Sequence, residues 1–129
     1  MQLAAQHSTP EDIAKLRGLV DAQRDKLGQD QAFIEADIAF HVAISEITRN
    51  TLIQAVTQAM LSWLFRYFKP HLLWPGREDT TLREHAHIVD CLENGDAEGA
   101  LKMMNAHQLI CVSQILFDVQ ITLTHRPVF

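Results

Sequence analysis

Cysteine, proline and glycine are all scarce in this chain, with two cysteines, four prolines and five glycines among 129 residues. Two cysteines are too few for the disulfide framework of a small secreted domain. Cys91 and Cys111 both fall in runs that are predicted to be helix interiors, where a thiol usually serves as a small buried apolar group. Few helix-breaking residues and a hydrophobic content of 47% predict a well-packed fold.

Long hydrophobic runs are absent as well. Each apolar stretch is interrupted by Gln, Lys, Arg or His well before the ~18 residues that a membrane span requires. The first ten residues lack a basic patch followed by an apolar run, so no signal peptide is predicted. The protein is therefore expected in the cytoplasm, without a membrane association.

Basic residues are in the minority. Eleven Lys and Arg residues are scattered among sixteen Asp and Glu residues, and the net charge is -5. A chain that neutralises the phosphates of nucleic acids usually carries an excess of basic residues on one face. This chain is therefore not expected to contact DNA itself, and any link to DNA would pass through a partner or a further domain.

Start and stop signals predict a bundle of helices. The run Ser8-Thr9-Pro10-Glu11-Asp12 supplies a hydroxyl cap, a first-turn proline and acids that suit the start of a helix, which Gly28 ends. Similar signals predict four more helices: from an Asp30 cap to about Thr48, from about Thr51 to Phe68, from an Asp79 or Thr80 cap to about Glu93, and from an Asp96 cap to about Leu123.

The connections between these helices are short. Asn50 is predicted to adopt the left-handed conformation at one corner, and Asn94-Gly95 forms another. Pro70, Pro75 and Gly76 predict a loop over residues 69–78, and residues 1–7 resemble the end of a helix. No alternating strand pattern is found, so we expect one all-α domain over residues 1–129, an antiparallel helical bundle.

Asp37 and His41 lie four residues apart on the second predicted helix, which places both side chains on one face, one turn apart. A carboxylate oxygen and an imidazole nitrogen presented in this way can share one cation. The same spacing is common in surface pairs and in hydrogen-bonded core histidines. The pair alone therefore does not establish a metal site.

His85 and His107 strengthen the case for a metal. His85 lies ten residues before Gly95 and His107 lies eleven residues after Asp96, so both lie about 15–17 Å from the corner and come level in an antiparallel pair. Three imidazoles and a carboxylate suit a divalent metal ion, Zn²⁺ first, with Ni²⁺, Mn²⁺ and Fe²⁺ also compatible. Apolar neighbours would bury these groups, where either a cation or a hydrogen-bond network must satisfy them: Phe40, Ile44, Ile88 and Met104.

The other histidines are weaker candidates. His87 is two residues from His85 and is predicted to face another side of the helix, while His7 and His125 lie near the termini and His71 lies in the predicted loop. Solvent exposure is expected for all four. Glu84 can orient a histidine ligand as a hydrogen-bond acceptor, or it can be a solvated surface acid.

Two motifs resemble those of a known family. Asp37-Ile-Ala-Phe40-His41, with Asn50 nine residues later, resembles the first motif of the FCD domain, the effector-binding domain of the FadR subfamily of GntR-type transcription regulators. The second motif of that domain is similar to Glu84-His85 with Ile88, continued by Gly95-Asp96, Ala100 and His107. Both motifs occur in order and at similar spacing, and the resemblance covers about residues 8–117.

The resemblance implies a role for individual residues. In the metal-binding branch of the family the ligands are one Asp and three His, which by motif position are Asp37, His41, His85 and His107. Family members sense small organic acids whose carboxylate can coordinate the metal. Asn50 and Arg66 are assigned to effector binding on this basis, with a structural surface arginine as the alternative at Arg66.

The resemblance also implies partners. The family's winged-helix DNA-binding domain and most of its first sensor helix are not within these 129 residues, so we expect a fragment of a homodimeric regulator that reaches DNA through the winged-helix domain. The alternative is an enzyme, a helical-bundle metalloenzyme acting on a small carboxylate. Glu84 and Glu46 are the only evident general bases, and neither has a spacing that requires catalysis.

Overall fold

A computed structural model describes residues 1–72 and 76–107 of the chain, and these residues form helices and no strands. The helices are α1 (Gln2–His7), α2 (Pro10–Arg24), α3 (Asp30–Ile47), α4 (Thr51–Leu72), α5 (Glu78–Glu93) and α6, which is described over residues 97–107. The all-α class predicted from the sequence is confirmed. The predicted continuation of the last helix to Leu123 and the predicted environment of Cys111 lie outside the described residues.

The start of α2 follows the sequence signals closely. The Thr9 hydroxyl accepts a hydrogen bond from the Asp12 backbone N–H at 3.2 Å, and the Asp12 carboxylate accepts one from the Thr9 backbone N–H at 3.0 Å. This reciprocal pair is a capping box, with Pro10 in the first turn. Arg49, on the turn after α3, donates to the same carboxylate at 2.9 Å and ties this corner to the start of α2.

The corner between α3 and α4 differs from the prediction. Arg49, not Asn50, has the left-handed conformation, with φ of 56°. Asn50 caps α4 instead, because its side-chain oxygen accepts hydrogen bonds from the backbone N–H groups of Leu52 and Ile53 at 3.0 and 3.2 Å. An amide side chain suits either role, and the backbone N–H groups at a helix start need an acceptor.

Several helix boundaries were also predicted wrongly. Helix α2 ends at Arg24 and not at Gly28, and α3 has Gln29 at its N-cap position, with Asp30 in the first turn and no side-chain cap hydrogen bond. Helix α4 continues through Pro70 to Leu72, where the sequence predicted a loop, because a proline removes one backbone hydrogen bond and does not oblige the helix to end. Helix α5 starts at Glu78 with Arg77 as the N-cap residue, not at an Asp79 or Thr80 cap. Asp79 lies instead in the first turn, where its charge faces the positive end of the helix dipole.

The bundle is arranged around α2 and α3. Helix α2 packs against α3 and α5, α3 packs against α4, and the short α1 packs against α3 and α5. Apolar side chains of five helices form one core whose principal fully buried members are Leu16, Phe40, Ile88, Val89 and Leu92. Cys91 lies at the edge of this core with a free thiol, and burial raises its pKa. The predicted buried role of Cys91 is confirmed.

Helix α4 contributes least to that core. One of its faces carries large hydrophobic side chains that are about half exposed or more: Leu52, Val56, Met60, Trp63 and Tyr67. These residues recur every three or four positions, so they form one continuous stripe along the helix. Among the described residues, no helix has the length and hydropathy to cross a membrane.

Candidate metal centre

Four side chains that are far apart in the sequence converge inside the bundle. One ligand atom each from Asp37, His41, His85 and His107 lies within 4.8 Å of the others. Oδ1 of Asp37 is 3.3 Å from Nε2 of His85, and Oδ2 of Asp37 is 3.6 Å from Nε2 of His41. Nε2 of His85 and Nε2 of His107 are 3.4 Å apart. The convergence expected from the sequence is therefore present.

Helix geometry explains this convergence. Asp37 and His41 project from one face of α3, one turn apart. Helices α5 and α6 run antiparallel on either side of Gly95, whose φ of 70° permits the tight corner. The Asp96 carboxylate accepts a hydrogen bond from the Gly99 backbone N–H at 2.8 Å and caps α6, as predicted. Because His85 and His107 lie at similar distances from this corner along α5 and α6, their side chains come level with each other.

The cluster is buried on one side and open on the other. The side chains of His85 and His107 are 0% and 4% exposed, whereas that of Asp37 is 28% exposed. Phe40 is fully buried and stacks on the His85 ring, with centroids 4.0 Å apart and an angle of 13° between the planes. The apolar wall restricts the His85 ring, and the Asp37 side leaves an approach from solvent.

Burial and mutual repulsion favour the neutral form of His41 and His85 by lowering the pKa of each. Burial lowers the pKa of His85 to about 3, against the attraction of Asp37 and with a further contribution from the repulsion of His41 and His107. Burial also lowers the pKa of His41, again against the attraction of Asp37. Burial raises the pKa of Asp37, but the three histidines and Gln23 outweigh it and lower that pKa overall.

This donor set fits a divalent metal ion. Metal ligands must be deprotonated, and the cluster offers neutral imidazole nitrogens with an ionised carboxylate. Nitrogen and oxygen donors of this kind suit Zn²⁺, Ni²⁺, Mn²⁺ or Fe²⁺ and do not select among them strongly. Without a cation, the same side chains can satisfy part of their hydrogen-bonding capacity through contacts with one another.

Sequence reasoning missed Gln23, which is fully buried beside the cluster. Its Nε2 donates to Oδ1 of Asp37 at 3.2 Å, and its Oε1 lies 2.9 Å from Nδ1 of His85. A signal for it exists, because Ile13, Leu16 and Val20 define the buried stripe of α2 and Gln23 continues it at helical spacing. A polar side chain on an apolar stripe requires a buried partner.

Of the two roles predicted for Glu84, hydrogen-bond acceptor for a histidine or solvated surface acid, the structure supports the first. Its Oε2 lies 2.5 Å from Nδ1 of His107 and 3.5 Å from a terminal nitrogen of Arg77. It is therefore a partner of a cluster histidine and not a solvated surface acid. His87 and His7 are exposed as expected, whereas the side chain of His71 and all of His125 lie outside the described part of the chain.

The two predicted effector contacts, Asn50 and Arg66, have local contacts at helix α4. Asn50 is exposed at the start of α4, where its side-chain oxygen caps the helix. Arg66 is exposed on α4, and its guanidinium carbon lies 5.6 Å from the centre of the Tyr67 ring. Their assignment to effector binding stays a prediction.

The fold and the cluster together define an all-helical domain built around an internal cluster of polar side chains. The FCD domain model matches residues 1–109, and the chain belongs to this family. The chain is also similar to the HTH-type transcriptional repressor NanR of Salmonella newport and of Salmonella typhimurium. The chain is 30% identical to each of these two repressors over 112 residues, which is 83% of this chain.

The chain spans about two fifths of the length of those repressors, 42% and 41% respectively. The family and the relatives support the effector-binding domain of a GntR-type regulator, and they point away from an enzyme.

Proposed function

We propose that this chain is the metal-binding, effector-sensing domain of a GntR-type transcription regulator. Asp37, His41, His85 and His107 are the proposed ligands of one divalent metal ion, with Zn²⁺ as the first candidate. The convergence of their ligand atoms within 4.8 Å supports this assignment. The stacking of Phe40 on the His85 ring and the lowered pKa values of His41 and His85 support it further, because little reorganisation is needed to receive a cation.

The proposed effector is a small organic acid. A bound divalent ion would supply a Lewis-acid position to which a carboxylate can coordinate. The partly exposed Asp37 marks the side from which such an acid would approach, whereas His85 and the Phe40 ring close the opposite side. Arg66 and Asn50 are kept as proposed effector contacts, and both would have to be reached from the α4 side of the bundle.

The roles proposed for the whole regulator go beyond this domain. Residues 1–129 form one FCD-type domain of a cytoplasmic homodimer, whose contact with DNA is made by a winged-helix domain. The proposed ligands join α3 to the α5–α6 pair, so effector binding would shift the bundle between two packings and change the orientation of the DNA-binding domains. The exposed apolar stripe of α4 is one surface suited to a contact between two copies.

Metal analysis of the purified chain tests the metal site directly. We expect about one equivalent of a divalent metal, and we expect Asp37→Ala and His107→Ala each to lower metal occupancy and Tm together. His87→Ala is the matched control, since this exposed histidine lies two residues from His85 and should alter neither. A chain that purifies without metal and whose melting is unchanged by added Zn²⁺ would contradict the proposal.

Screening of small hydroxy and keto acids tests the effector. Saturable binding without turnover, lost in Asp37→Ala, supports a sensor. Turnover that is lost in His85→Ala would instead indicate a metalloenzyme.

A further inference from the structure

His85 and His107 each contact, through the ring nitrogen that faces away from the cluster, a polar side chain that is not a proposed ligand. Nδ1 of His85 lies 2.9 Å from Oε1 of Gln23, and Nδ1 of His107 lies 2.5 Å from Oε2 of Glu84. A neutral imidazole has one N–H and one lone pair, so these contacts decide which nitrogen carries the proton.

Asp37 fixes the orientation of the Gln23 amide. The Gln23 nitrogen donates to Oδ1 of Asp37 at 3.2 Å, and rotation of the amide by half a turn would place its oxygen against that carboxylate. The Gln23 oxygen must therefore face His85. Because an amide oxygen only accepts hydrogen bonds, Nδ1 of His85 carries the proton and donates it to Gln23.

The same argument applies to His107 with a different partner. Oε2 of Glu84 accepts from Arg77 across 3.5 Å, so this oxygen acts as an acceptor toward both of its neighbours. Nδ1 of His107 is then the donor, and its proton points at Glu84. Glu84 and Gln23 come from different helices, α5 and α2, yet they impose the same tautomer on two rings.

With both protons on Nδ1, both Nε2 atoms present bare lone pairs to the inside of the cluster. These two nitrogens lie 3.4 Å apart, and Oδ1 of Asp37 lies 3.3 Å from Nε2 of His85. Three acceptor atoms thus face one another without a proton between them, which is costly in a buried site unless a cation is shared.

We propose that Gln23 and Glu84 are positioning residues that fix His85 and His107 as Nδ1–H tautomers, and so aim both Nε2 lone pairs at one metal ion. This inference rests on the proposed metal site. Gln23 contacts two proposed ligands, whereas Glu84 contacts one. The single amide of Gln23 bridges Asp37 on α3 and His85 on α5. Ligand histidines in metal sites usually depend on such partners, whose loss weakens metal binding about 10–100-fold.

The tautomers can be measured without any metal. In the metal-free chain labelled with ¹⁵N-histidine, two-bond ¹H–¹⁵N correlation spectra should show both His85 and His107 as Nδ1–H forms. In Gln23→Met the acceptor is lost, and the His85 proton should move to Nε2, where Oδ1 of Asp37 can accept it. The His107 spectrum should not change. Glu84→Met should produce the complementary result, with His107 altered and His85 not.

Zn²⁺ affinity, measured by competition with a chromophoric chelator, gives the second readout. Gln23→Met should raise the Kd about tenfold or more, because the metal must first displace the proton on Nε2. Gln23→Glu should keep His85 in the Nδ1–H form, since its carboxylate still accepts from Nδ1 of His85, whereas its other oxygen no longer donates to Oδ1 of Asp37. This conservative variant separates the acceptor role toward His85 from the donor role toward Asp37.

Leu16→Ala is the structural control. Leu16 is fully buried on the same helix, so the substitution lowers Tm, but it should leave both tautomers and the Kd of the folded chain unchanged. If Gln23→Met does not fold, the tautomer of His85 is still measured in the wild type and in Gln23→Glu. His85 observed as the Nε2–H form in the wild type overturns the inference.

The two proposals fail in different ways. If the wild type binds Zn²⁺ while Gln23→Met retains both the tautomer of His85 and the wild-type Kd, the positioning role is wrong and the metal site stands. If the wild type shows both Nδ1–H forms but binds no Zn²⁺, the metal site is wrong, and the positioning role is overturned with it.

Discussion

At the scale of single residues, Asp12 connects two segments of the chain. Its carboxylate accepts from the Thr9 backbone and hydroxyl, and from Arg49 at the corner after α3. Burial raises the pKa of Asp12, but these hydrogen bonds and the Arg49 charge outweigh it and lower that pKa below the ordinary value of 3.8. The ionised carboxylate therefore stabilises both the start of α2 and the turn after α3.

We expect Asp12→Ala to lower the free energy of unfolding by about 1 kcal/mol at pH 7, the usual contribution of a helix cap. A group whose folded-state pKa is lowered stabilises the fold above its unfolded-state pKa, and this contribution disappears as the pH falls through the folded-state pKa. The difference between wild type and variant should thus shrink below pH 3.8. Urea titrations of both proteins at pH 7 and at low pH measure this difference in the free energy of unfolding.

Glu11→Ala is the matched control for this prediction. Glu11 is the neighbouring acid in the first turn of α2, and the structure gives its carboxylate no hydrogen bond among the described residues. At pH 7, Glu11→Ala should lower the free energy of unfolding by less than Asp12→Ala does. A difference for Asp12→Ala that is equal at both pH values would contradict the account.

At the scale of helices, the start of α6 shows two local preferences in conflict. Alanine stabilises a helix relative to glycine by ~1 kcal/mol, so Gly99→Ala would be expected to help. A Cβ atom on Gly99 would, however, overlap the carboxylate of Asp96, which caps this helix. The cap and the alanine cannot both be accommodated in the present geometry.

A double-mutant cycle tests this conflict. Gly99→Ala should be neutral or destabilising in the wild type, because it displaces the cap. In the Asp96→Ala background it should stabilise by about 1 kcal/mol, since no cap remains to be lost. Asp96→Ala alone should cost about 1 kcal/mol. Equal effects of Gly99→Ala in both backgrounds, measured by thermal or urea unfolding, would show that the overlap is absorbed without loss of the cap.

Helix existence was predictable from the sequence, and helix boundaries were less so. The Thr9–Asp12 capping box and the Asp96 cap are local signals, and both are confirmed. Pro70 and Arg49 show why boundaries fail, because propensity identifies residues that can end a helix but not those that do. The left-handed turn fell on Arg49, a residue that its pairing with Asp12 holds in place.

At the scale of the whole molecule, the four proposed ligands could be predicted from residue spacing as two pairs. Asp37 and His41 follow from the helical repeat, and His85 meets His107 because the arms on either side of Gly95 are matched. Gln23 could not be found by this route, since its contacts depend on how α2 packs against α3 and α5. Motifs record spacing along the chain, whereas partners across helices arise only from packing.

Metal binding should stabilise the whole domain, because the proposed ligands link α3 to the α5–α6 pair, from which α3 is separated along the chain by α4. At a free Zn²⁺ concentration of about one hundred times the Kd, the expected gain is about 2.7 kcal/mol, or a rise in Tm of about 8 °C. Scanning calorimetry with and without a chelator measures it. Asp37→Ala should show a smaller chelator effect, because only three of the proposed ligands remain, and an effect as large as that of the wild type would contradict the assignment of Asp37.

The order of the ligands along the chain has a consequence for synthesis. His107 follows His85 by 22 residues, so the set is incomplete until almost the whole of the described chain has been made. A ribosome releases this last donor well after the other three. Binding of a metal by all four proposed ligands would therefore be a late event, and a truncated product lacking α6 would offer only Asp37, His41 and His85.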